Sequence, residues 1–245
     1  MTNHTSRVAP RVLPVALRDG VDAWFTGTSD APAPVIGRAG NLSHHRPHLP
    51  SVLAADRAAV GAATGTDAGD WHLMVQVHGA AVGVVDHHTP PGAELREVDS
   101  LVTTQAGRVL GVAAADCVVI LLASELGIAA VHAGRRGVAA GAVRAAVAAL
   151  PGEDVVAVVG PAIGGCCYEV PTAMQAEICR VVPTAEATTT WGTPSLDLPR
   201  AVLDQLAVLG VSATRVGGCT RCTDGWFSHR ADPGAGRHLG LVVRR

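Results

Sequence analysis

Three side chains that interrupt apolar stretches of the sequence could bind a metal ion. His78 directly follows one apolar run, Cys117 lies between two others, and His132 directly follows a fourth. Imidazole and thiolate are good zinc ligands, and three protein ligands leave a fourth position for water or substrate, as in catalytic zinc sites. The spacing matches no local zinc motif, so an alternative stays open: a small buried cysteine and two histidines hydrogen-bonded in the core.

The same residues could instead perform nucleophilic catalysis. A thiol beside an imidazole, with a carboxylate or amide to orient the ring, is the arrangement of thiol hydrolases. Cys117 could form such a pair with His132 or with His78. The sequence does not separate a metal-binding thiolate from a nucleophilic one, because both need a deprotonated sulfur near an imidazole.

A candidate anion site follows His132 in the chain. Arg135 and Arg136 begin an Ala-rich helical stretch, where free backbone N–H groups and an arginine fork suit a phosphate or carboxylate. A solvated arginine pair is equally consistent with this pattern. The glycine-rich run 160–169 lacks both G-x-G-x-x-G and a P-loop lysine, so it predicts no nucleotide fingerprint.

A C-x-x-C motif near the C-terminus offers two further thiols. Cys219 and Cys222 would need a second spaced pair to form a zinc ribbon, whereas Cys166 and Cys167 are adjacent in the sequence. A redox role would place the motif between a strand and a helix, which the flanking sequence does not suggest. We therefore interpret this motif as structural or incidental.

The elements that position these residues alternate along the chain, which predicts an α/β or α+β fold. Several strands are continuously apolar, as in strands covered on both faces. Helix caps are expected at Ser51 and Asp197, and helix ends at Gly65 and Gly210. We predict strands at 73–77, 82–85, 109–112, 118–122, 128–131 and 155–159, and helices at 52–63, 138–150, 172–182 and 198–209.

The composition excludes several classes of function. The chain has 245 residues, of which 48% are apolar and 16% charged, and its net charge of −2 offers no strong field for nucleic acid or an acidic membrane. All 19 basic residues are arginine, which excludes a Schiff-base, P-loop or pyridoxal-phosphate lysine. An aromatic content of 3% is too low for base-stacking platforms.

Length and segment character indicate one domain in the cytoplasm. We expect a flexible tail at residues 1–19 and a single catalytic domain at residues 20–245. No apolar run is long enough to predict a membrane span, and the N-terminus lacks the apolar core of a secretory signal. The six cysteines are therefore expected to be thiols or metal ligands rather than a disulfide framework.

Taken together, these stretches resemble the YfiH family, also called the laccase-domain, polyphenol oxidase or peptidoglycan editing factor family. The resemblance covers roughly residues 20–243 in order and spacing, which is highly specific. The motifs that carry it are Asn41-Leu42 before a helix with Arg57, Gln76-Val77-His78-Gly79, Asp99-Ser100-Leu101-Val102-Thr103, Ala115-Asp116-Cys117, His132-Ala133-Gly134-Arg135-Arg136-Gly137, Gly160-Pro161-Ala162-Ile163-Gly164, Cys166-Cys167-Tyr168-Glu169-Val170, Cys219-Thr220, Phe227-Ser228-His229-Arg230 and Gly236-Arg237.

The resemblance implies a four-layer α/β/β/α sandwich with zinc held by His78, Cys117 and His132. It implies a purine nucleoside phosphorylase that uses adenosine, inosine and methylthioadenosine, with adenosine deaminase activity besides. Copper, which the name polyphenol oxidase presumes, is disfavoured because the 11 histidines include no His-x-His pair for a multi-copper cluster. The zinc deaminase signature His-x-Glu with Pro-Cys-x-x-Cys is also missing, so deamination would need a different site design.

Roles for individual residues follow from this resemblance and from the chemistry. Arg136 and Arg230 are expected to bind phosphate, and Asn41 and Gln76 to contribute to substrate binding. Asp116 is expected to act as a general base or to orient a zinc-bound histidine, with Cys117 and His132 also at the catalytic centre. The expected partners are a purine nucleoside and phosphate, with no nucleic acid or membrane, and the protein is expected to be a monomer.

Two rival classes of function stay open beside the phosphorylase. One is a cysteine hydrolase or amidase that acts in peptidoglycan editing, with Cys117 as its nucleophile. The other is a non-catalytic binding module that zinc stabilises. A covalent adduct on Cys117 in metal-free protein would favour the first, and zinc-dependent melting without turnover would favour the second.

Several positions depart from the family's usual pattern. An acidic loop after Asn41-Leu42 is replaced by a basic and histidine-rich run at residues 44–48. The predicted zinc ligands and Arg136 are intact, so we expect activity to be retained with an altered substrate preference. The substituted positions are Arg135, where the family has Trp, Val119 and Gly165, where it has Pro, and Ala231, where it has Arg.

Overall fold

The computed structural model describes residues 9–29 and 40–245, which form a mixed α/β domain. The helices are α1 (Pro50–Thr64), α2 (Arg135–Ala140), α3 (Ala142–Ala149), α4 (Thr172–Cys179) and α5 (Leu198–Val208), with a 3-10 turn at Pro183–Ala185. The strands are β1 (Val12–Arg18), β2 (Val21–Thr26), β3 (Leu73–Val75), β4 (Val82–Val84), β5 (Glu94–Arg96), β6 (Ser100–Thr103), β7 (Val109–Ala114), β8 (Val118–Ala123), β9 (Ile128–Ala133), β10 (Val156–Val159), β11 (Glu186–Thr188), β12 (Pro194–Leu196), β13 (Ser212–Arg215) and β14 (His238–Arg244).

Two sheets make up most of the strand content. The smaller is antiparallel with the order β1-β2-β14-β7. The larger has the order β13-β10-β8-β9-β6-β4 and is mixed, because β10 pairs with β13, and β4 with β6, in parallel. At its centre β8 and β9 form an antiparallel hairpin in which Val119 pairs with His132. This hairpin supplies two of the predicted metal ligands.

Strand β8 is buried on both faces, which explains its unbroken apolar sequence. Ile120 and Leu122 pack on one face with Val143 of α3 and Val202 of α5. Val119 and Leu121, which alternate with them, pack on the other face in the cluster that includes strands of the smaller sheet. Apolar packing therefore holds the hairpin on both faces, independently of the functional residues.

Helix α1 packs on the smaller sheet. Its Val60 is fully buried in a cluster with Trp24, Val109 and Leu241. The helix begins at Pro50, one residue before the predicted Ser51 cap, and ends at Gly65, whose φ of 64° suits glycine. The mixed α/β single domain is thus confirmed, and the four-layer order implied by the resemblance stays a prediction.

Several sequence predictions need correction. Strand β1 lies inside residues 1–19, which were predicted to be a tail; residues 1–8 lie outside the described residues. The predicted helix 138–150 is two helices, α2 and α3, since Gly141 adopts a φ of 87° that breaks the helical hydrogen-bond pattern. The predicted helix 172–182 ends at Cys179. The strands that were not predicted are β1, β2, β5, β6, β11, β12, β13 and β14.

Two further observations complete the fold. The side chain of Asp197 accepts a hydrogen bond from the backbone N–H of Arg200, which confirms Asp197 as the N-cap of α5. Within residues 9–29 and 40–245, none of the helices has the length and apolar character needed to cross a bilayer.

Candidate active site

The three predicted metal ligands come together at one end of the β8–β9 hairpin. Cys117 immediately precedes β8, His132 lies in β9, and His78 lies in the loop that follows β3. Cys117 Sγ lies 3.8 Å from His78 Nε2, and one ligand atom from each residue lies within 4.8 Å of the others. His132 is buried, Cys117 partly buried and His78 exposed. We call these residues the His–Cys–His cluster.

Asp99 holds both histidines of this cluster, and the sequence analysis did not assign it a role. Its carboxylate is fully buried, and its Oδ1 lies 2.8 Å from His132 Nδ1. It also accepts hydrogen bonds from the backbone N–H groups of His78, at 2.9 Å, and Gly79, at 2.7 Å. With Nδ1–H donated to Asp99, His132 Nε2 is left free to bind a metal.

The backbone around the cluster is shaped to bring the ligands close. His78 has a φ of 62° and Asp116 a φ of 87°, conformations that residues other than glycine seldom adopt and that concentrate at functional sites. A Cβ on Gly134 would lie 2.7 Å from the His78 ring and 3.1 Å from Cys117 Sγ. Only glycine at this position leaves room for the two ligands.

The protonation state of the cluster favours a deprotonated sulfur. Burial raises the pKa of Cys117, but His132 and His78 outweigh it and lower the pKa to about 6. Burial lowers the pKa of His132, but the Cys117 thiolate and Asp99 outweigh it and raise the pKa to about 9. Without a metal, the pair is a thiolate and an imidazolium. A thiolate with two imidazoles is a donor set that fits zinc.

Asp116 does not orient a histidine, contrary to one of its two predicted roles. Its Oδ1 accepts the hydroxyl hydrogen of Thr220 at 2.6 Å, and its Oδ2 accepts the backbone N–H of Arg230 at 2.6 Å. Its carbonyl accepts the N–H of Ile163 at 3.0 Å. Asp116 therefore joins three loops, and the orienting role belongs to Asp99.

Two adjoining cavities open onto the His–Cys–His cluster, and both are lined in part by His78 and Cys117. The first has a volume of about 360 Å³ and the second about 550 Å³, within the range of small-molecule sites. The first is also lined by Asp116, Arg135, Arg136, Ile163, Tyr168 and Arg230, and the second by His45, Arg46, Gln76, His132 and Arg237.

The predicted phosphate ligands both line the first cavity. Arg136 is exposed at the start of α2. The Arg230 guanidinium lies 4.9 Å from the centre of the Tyr168 ring, and its Nη1 donates to the Glu169 carbonyl at 2.6 Å. Arg135 brings a third guanidinium to the same space. Three guanidinium groups in one cavity suit an anion, because each guanidinium can donate two parallel hydrogen bonds to phosphate oxygens.

Gln76 and Asn41 occupy different positions relative to the second cavity. Gln76 lines it and donates from Nε2 to the Ala113 carbonyl at 2.8 Å. Asn41 is buried and uses its side chain on the backbone: Oδ1 accepts N–H groups of Ser43 and Arg237, and Nδ2 donates to the Ser43 carbonyl. Asn41 thus positions the Arg237 loop, and direct contact with substrate stays a prediction.

The departures from the family pattern fall mostly away from the cluster. Val119 is fully buried in β8, and a Cβ on Gly165 would lie 2.8 Å from Ala187 Cβ. Ala231 is exposed and donates its backbone N–H to Ser228 Oγ at 3.2 Å. Only Arg135 among the four lines a cavity at the cluster. His45 lines the second cavity, and its Nε2 lies 2.8 Å from Glu94 Oε1.

Fold and site together define a single-domain α/β protein with a histidine- and cysteine-based centre between two arginine-bearing cavities. The family model described as multi-copper polyphenol oxidoreductase laccase matches residues 23–245. A purine nucleoside phosphorylase of Streptomyces coelicolor is 44% identical over 230 residues, covering 90% of this chain and 92% of the relative. A purine nucleoside phosphorylase of Mycobacterium tuberculosis is 40% identical over 210 residues, covering 82% and 83%.

Solved structures agree with these sequence relatives. YfiH of Bacillus licheniformis matches with a TM-score of 0.85 and 25% identity over 100% of both chains. YlmD of Geobacillus stearothermophilus matches with a TM-score of 0.80 and 27% identity over 93% of both chains. The chain belongs to the YfiH, or laccase-domain, family.

Proposed function

We propose that this chain is a zinc-dependent purine nucleoside phosphorylase that cleaves adenosine, inosine and methylthioadenosine with phosphate, and that it also deaminates adenosine. The observation that carries the proposal is the His–Cys–His cluster, which opens onto a cavity with three guanidinium groups. The names of the relatives support the purine nucleoside phosphorylase part of this proposal. The substrates are small molecules, and we propose a cytoplasmic monomer that binds neither nucleic acid nor membrane.

His78, Cys117 and His132 would hold the metal ion. When bound, zinc supplies Lewis-acid polarisation of a substrate oxygen and lowers the pKa of a coordinated water. The protein prepares this site in advance: Asp99 accepts a hydrogen bond from His132 Nδ1, and the rings of His132 and His78 lower the pKa of Cys117.

The arginine-lined cavity would hold the phosphate. In phosphorolysis a phosphate oxygen bonds to the anomeric carbon, the glycosidic C–N bond breaks, and its electron pair leaves with the purine, which then takes a proton. The sugar passes through an oxocarbenium-like state, as in glycoside hydrolysis. Arg136 and Arg230 would orient the anion and balance its charge as the bond forms. Asp116 would hold the Arg230 loop in place through the backbone N–H.

Adenosine deamination would use the same centre with water in place of phosphate. Water adds at C6 of the purine, ammonia leaves, and inosine remains. The cavity lined by Gln76 and Arg237 also opens onto the cluster and would give the purine a second place to bind.

A cysteine hydrolase is the second candidate, and one observation favours it. Asp99, His132 and Cys117 form a chain of carboxylate, imidazole and thiolate, which is the order of orienting group, base and nucleophile in thiol hydrolases. In that case Cys117 Sγ would bond to the carbonyl carbon of an amide, such as one in peptidoglycan, the C–N bond would break and the amine would leave with a proton from His132, and water would then release the acyl group as an acid. Zinc on the same sulfur would then inhibit rather than activate.

The decisive experiment measures base release from inosine and adenosine, with and without phosphate, by zinc-loaded wild type and the Cys117→Ala variant. Cys179→Ser is the matched control, because Cys179 is a partly buried free cysteine on α4 outside the cluster. We expect phosphate-dependent release by wild type and the control and none by Cys117→Ala. No release by folded, zinc-loaded wild type would overturn the proposal. A covalent adduct on Cys117 with an amide substrate would then establish the hydrolase.

A further inference from the structure

Four cysteines to which the sequence analysis assigned no functional role lie together in the fold. Cys166 and Cys167 are in the loop after β10, and Cys219 and Cys222 in the loop after β13. These strands pair in parallel, so their carboxyl ends lie at the same edge of the sheet. An isolated bridge between Ala162 and Cys219 extends the pairing into the loops. The two pairs of thiols, remote in sequence, are therefore neighbours.

The spacing of the four sulfurs suits a shared metal ion. All four lie within 4.8 Å of one another, and Cys166 Sγ lies 3.9 Å from Cys222 Sγ. Zinc–sulfur bonds of about 2.3 Å at tetrahedral angles separate the sulfurs by about 3.8 Å. A disulfide needs about 2.05 Å, and all four cysteines are free. The distances are those of ligands around a common centre.

The backbone is arranged as it is around a metal-bound thiolate. The N–H of Gly164 donates to Cys219 Sγ at 3.3 Å. Cys222 and Thr223 donate their N–H groups to the Cys219 carbonyl, at 3.2 and 2.9 Å, which forms the tight turn of the C-x-x-C. A Cβ on Gly164 would lie 3.3 Å from Cys166 Sγ, so glycine keeps space beside the sulfurs.

We propose that Cys166, Cys167, Cys219 and Cys222 bind a structural zinc ion, separate from the His–Cys–His cluster. Four thiolates complete a tetrahedral shell and leave no position for substrate, which is the pattern of structural zinc. We call these residues the four-cysteine cluster.

The proposed zinc ion braces one wall of the first cavity. The loop that carries Cys166 and Cys167 also carries Ile163 and Tyr168, which line that cavity. On the other loop, Thr220 donates its hydroxyl hydrogen to Asp116, which in turn holds Arg230. Loss of the ion therefore loosens the wall and the phosphate ligand without touching the three residues of the His–Cys–His cluster.

The test is zinc content per folded chain by mass spectrometry after expression and purification under reducing conditions. Wild type and Cys179→Ser are expected to hold about one equivalent more zinc than Cys222→Ser. Cys117→Ala is expected to lose only the zinc of its own cluster, so the two sites are counted separately. Cys222 is exposed, and serine there leaves the buried packing intact.

Two further measurements keep the test independent of activity. Cobalt in place of zinc should give an intense sulfur-to-cobalt absorption in Cys117→Ala, which keeps four thiolates, and a much weaker one in Cys222→Ser. Cys222→His should restore the zinc, because imidazole replaces thiolate in structural sites. Unchanged zinc content in Cys222→Ser would overturn the proposal, as would bound iron in place of zinc or a disulfide found among these cysteines in the purified protein.

Discussion

The His–Cys–His cluster and the four-cysteine cluster differ in where their ligands stand. His132 lies in a hairpin buried on both faces, Cys117 directly precedes that hairpin and His78 lies in a loop, whereas all four cysteines of the second cluster lie in loops. The first cluster opens onto two cavities, and the second has four sulfurs, enough to complete the shell of an ion. Under the two proposals, an incomplete ligand set serves chemistry and a complete one serves support.

The two clusters also differ in the charge that the protein gives their sulfurs. Neighbouring imidazoles lower the pKa of Cys117 to about 6, while neighbouring thiols contribute to raising that of Cys222 to about 11. Cys117 is therefore ionised before any metal arrives. In the four-cysteine cluster, full ionisation has to accompany metal binding and releases protons.

The largest expected effect comes from removing one ligand of the His–Cys–His cluster. The His78→Ala variant should lose more than about 100-fold in phosphorolysis, since even changes to groups that orient metal ligands cost about 10- to 100-fold. His78 is exposed, so the melting temperature should change little. Base release and thermal unfolding measure the two effects. A His78→Ala variant with a lowered melting temperature and normal phosphorolysis would instead assign a structural role to the His–Cys–His cluster.

Replacing the buried carboxylate that holds both histidines should have a somewhat smaller effect. We expect Asp99→Asn to weaken zinc binding at the His–Cys–His cluster by about 10- to 100-fold and to lower kcat in parallel. Competition with a chelator measures the affinity. Asp86→Asn is the matched control, because Asp86 also accepts backbone N–H bonds but in a turn away from both clusters. Equal affinity in the two variants would contradict the role of Asp99.

Alkylation of metal-free protein compares the sulfurs directly. At pH 7 Cys117 is largely thiolate, whereas Cys222 stays protonated although it is more exposed. The thiolate reacts, so iodoacetamide should modify Cys117 faster than Cys222, by a factor on the order of ten or more after the lower nucleophilicity of an acidic thiolate is counted. Peptide mass spectrometry over time gives both rates. Raising the pH toward 11 should accelerate Cys222 and leave Cys117 unchanged.

The smallest expected effect concerns the cavity wall. The Arg136→Ala variant should raise KM for phosphate by about tenfold, which corresponds to the loss of a charge-assisted hydrogen bond of about 1.5 kcal/mol. KM for the nucleoside should change much less. Arg144→Ala is the control, because Arg144 is an exposed arginine on α3 that lines a different cavity. A phosphate KM equal to that of wild type would remove Arg136 from the anion site.

The central elements of the fold were accessible from the sequence because their signals are local. The apolar runs 118–122 and 128–131 predicted β8 and most of β9 as strands covered on both faces, and Asp197 marked the start of α5. Strand β1 was missed because its residues are only partly buried, and β14 because glycine and histidine interrupt its apolar run. The break at Gly141 depends on a backbone angle rather than on apolar periodicity.

Residues of the candidate site could be predicted only where their type differed from that of the surrounding sequence. His78, Cys117 and His132 stood out as polar residues at strand ends, and the structure brings them together. Asp99 gave a weaker signal, because it is an acid directly before an apolar strand. Its hydrogen bond to His132 depends on the pairing of β6 with β9, which the sequence does not show. The four-cysteine cluster forms because β10 and β13 pair in parallel. The positions of the four cysteines along the sequence do not reveal this pairing.

The β8–β9 hairpin has a consequence for how the molecule opens. Both strands are buried along their whole length and hydrogen-bonded to neighbours on either side, so their amide hydrogens should exchange with solvent only when the entire domain unfolds. Exposed loop residues, such as those around Cys222, should exchange through small local fluctuations. The ligand His132 therefore belongs to the last part of the protein to open and Cys117 directly precedes it, so exposed loops can fluctuate while these two ligands stay in place.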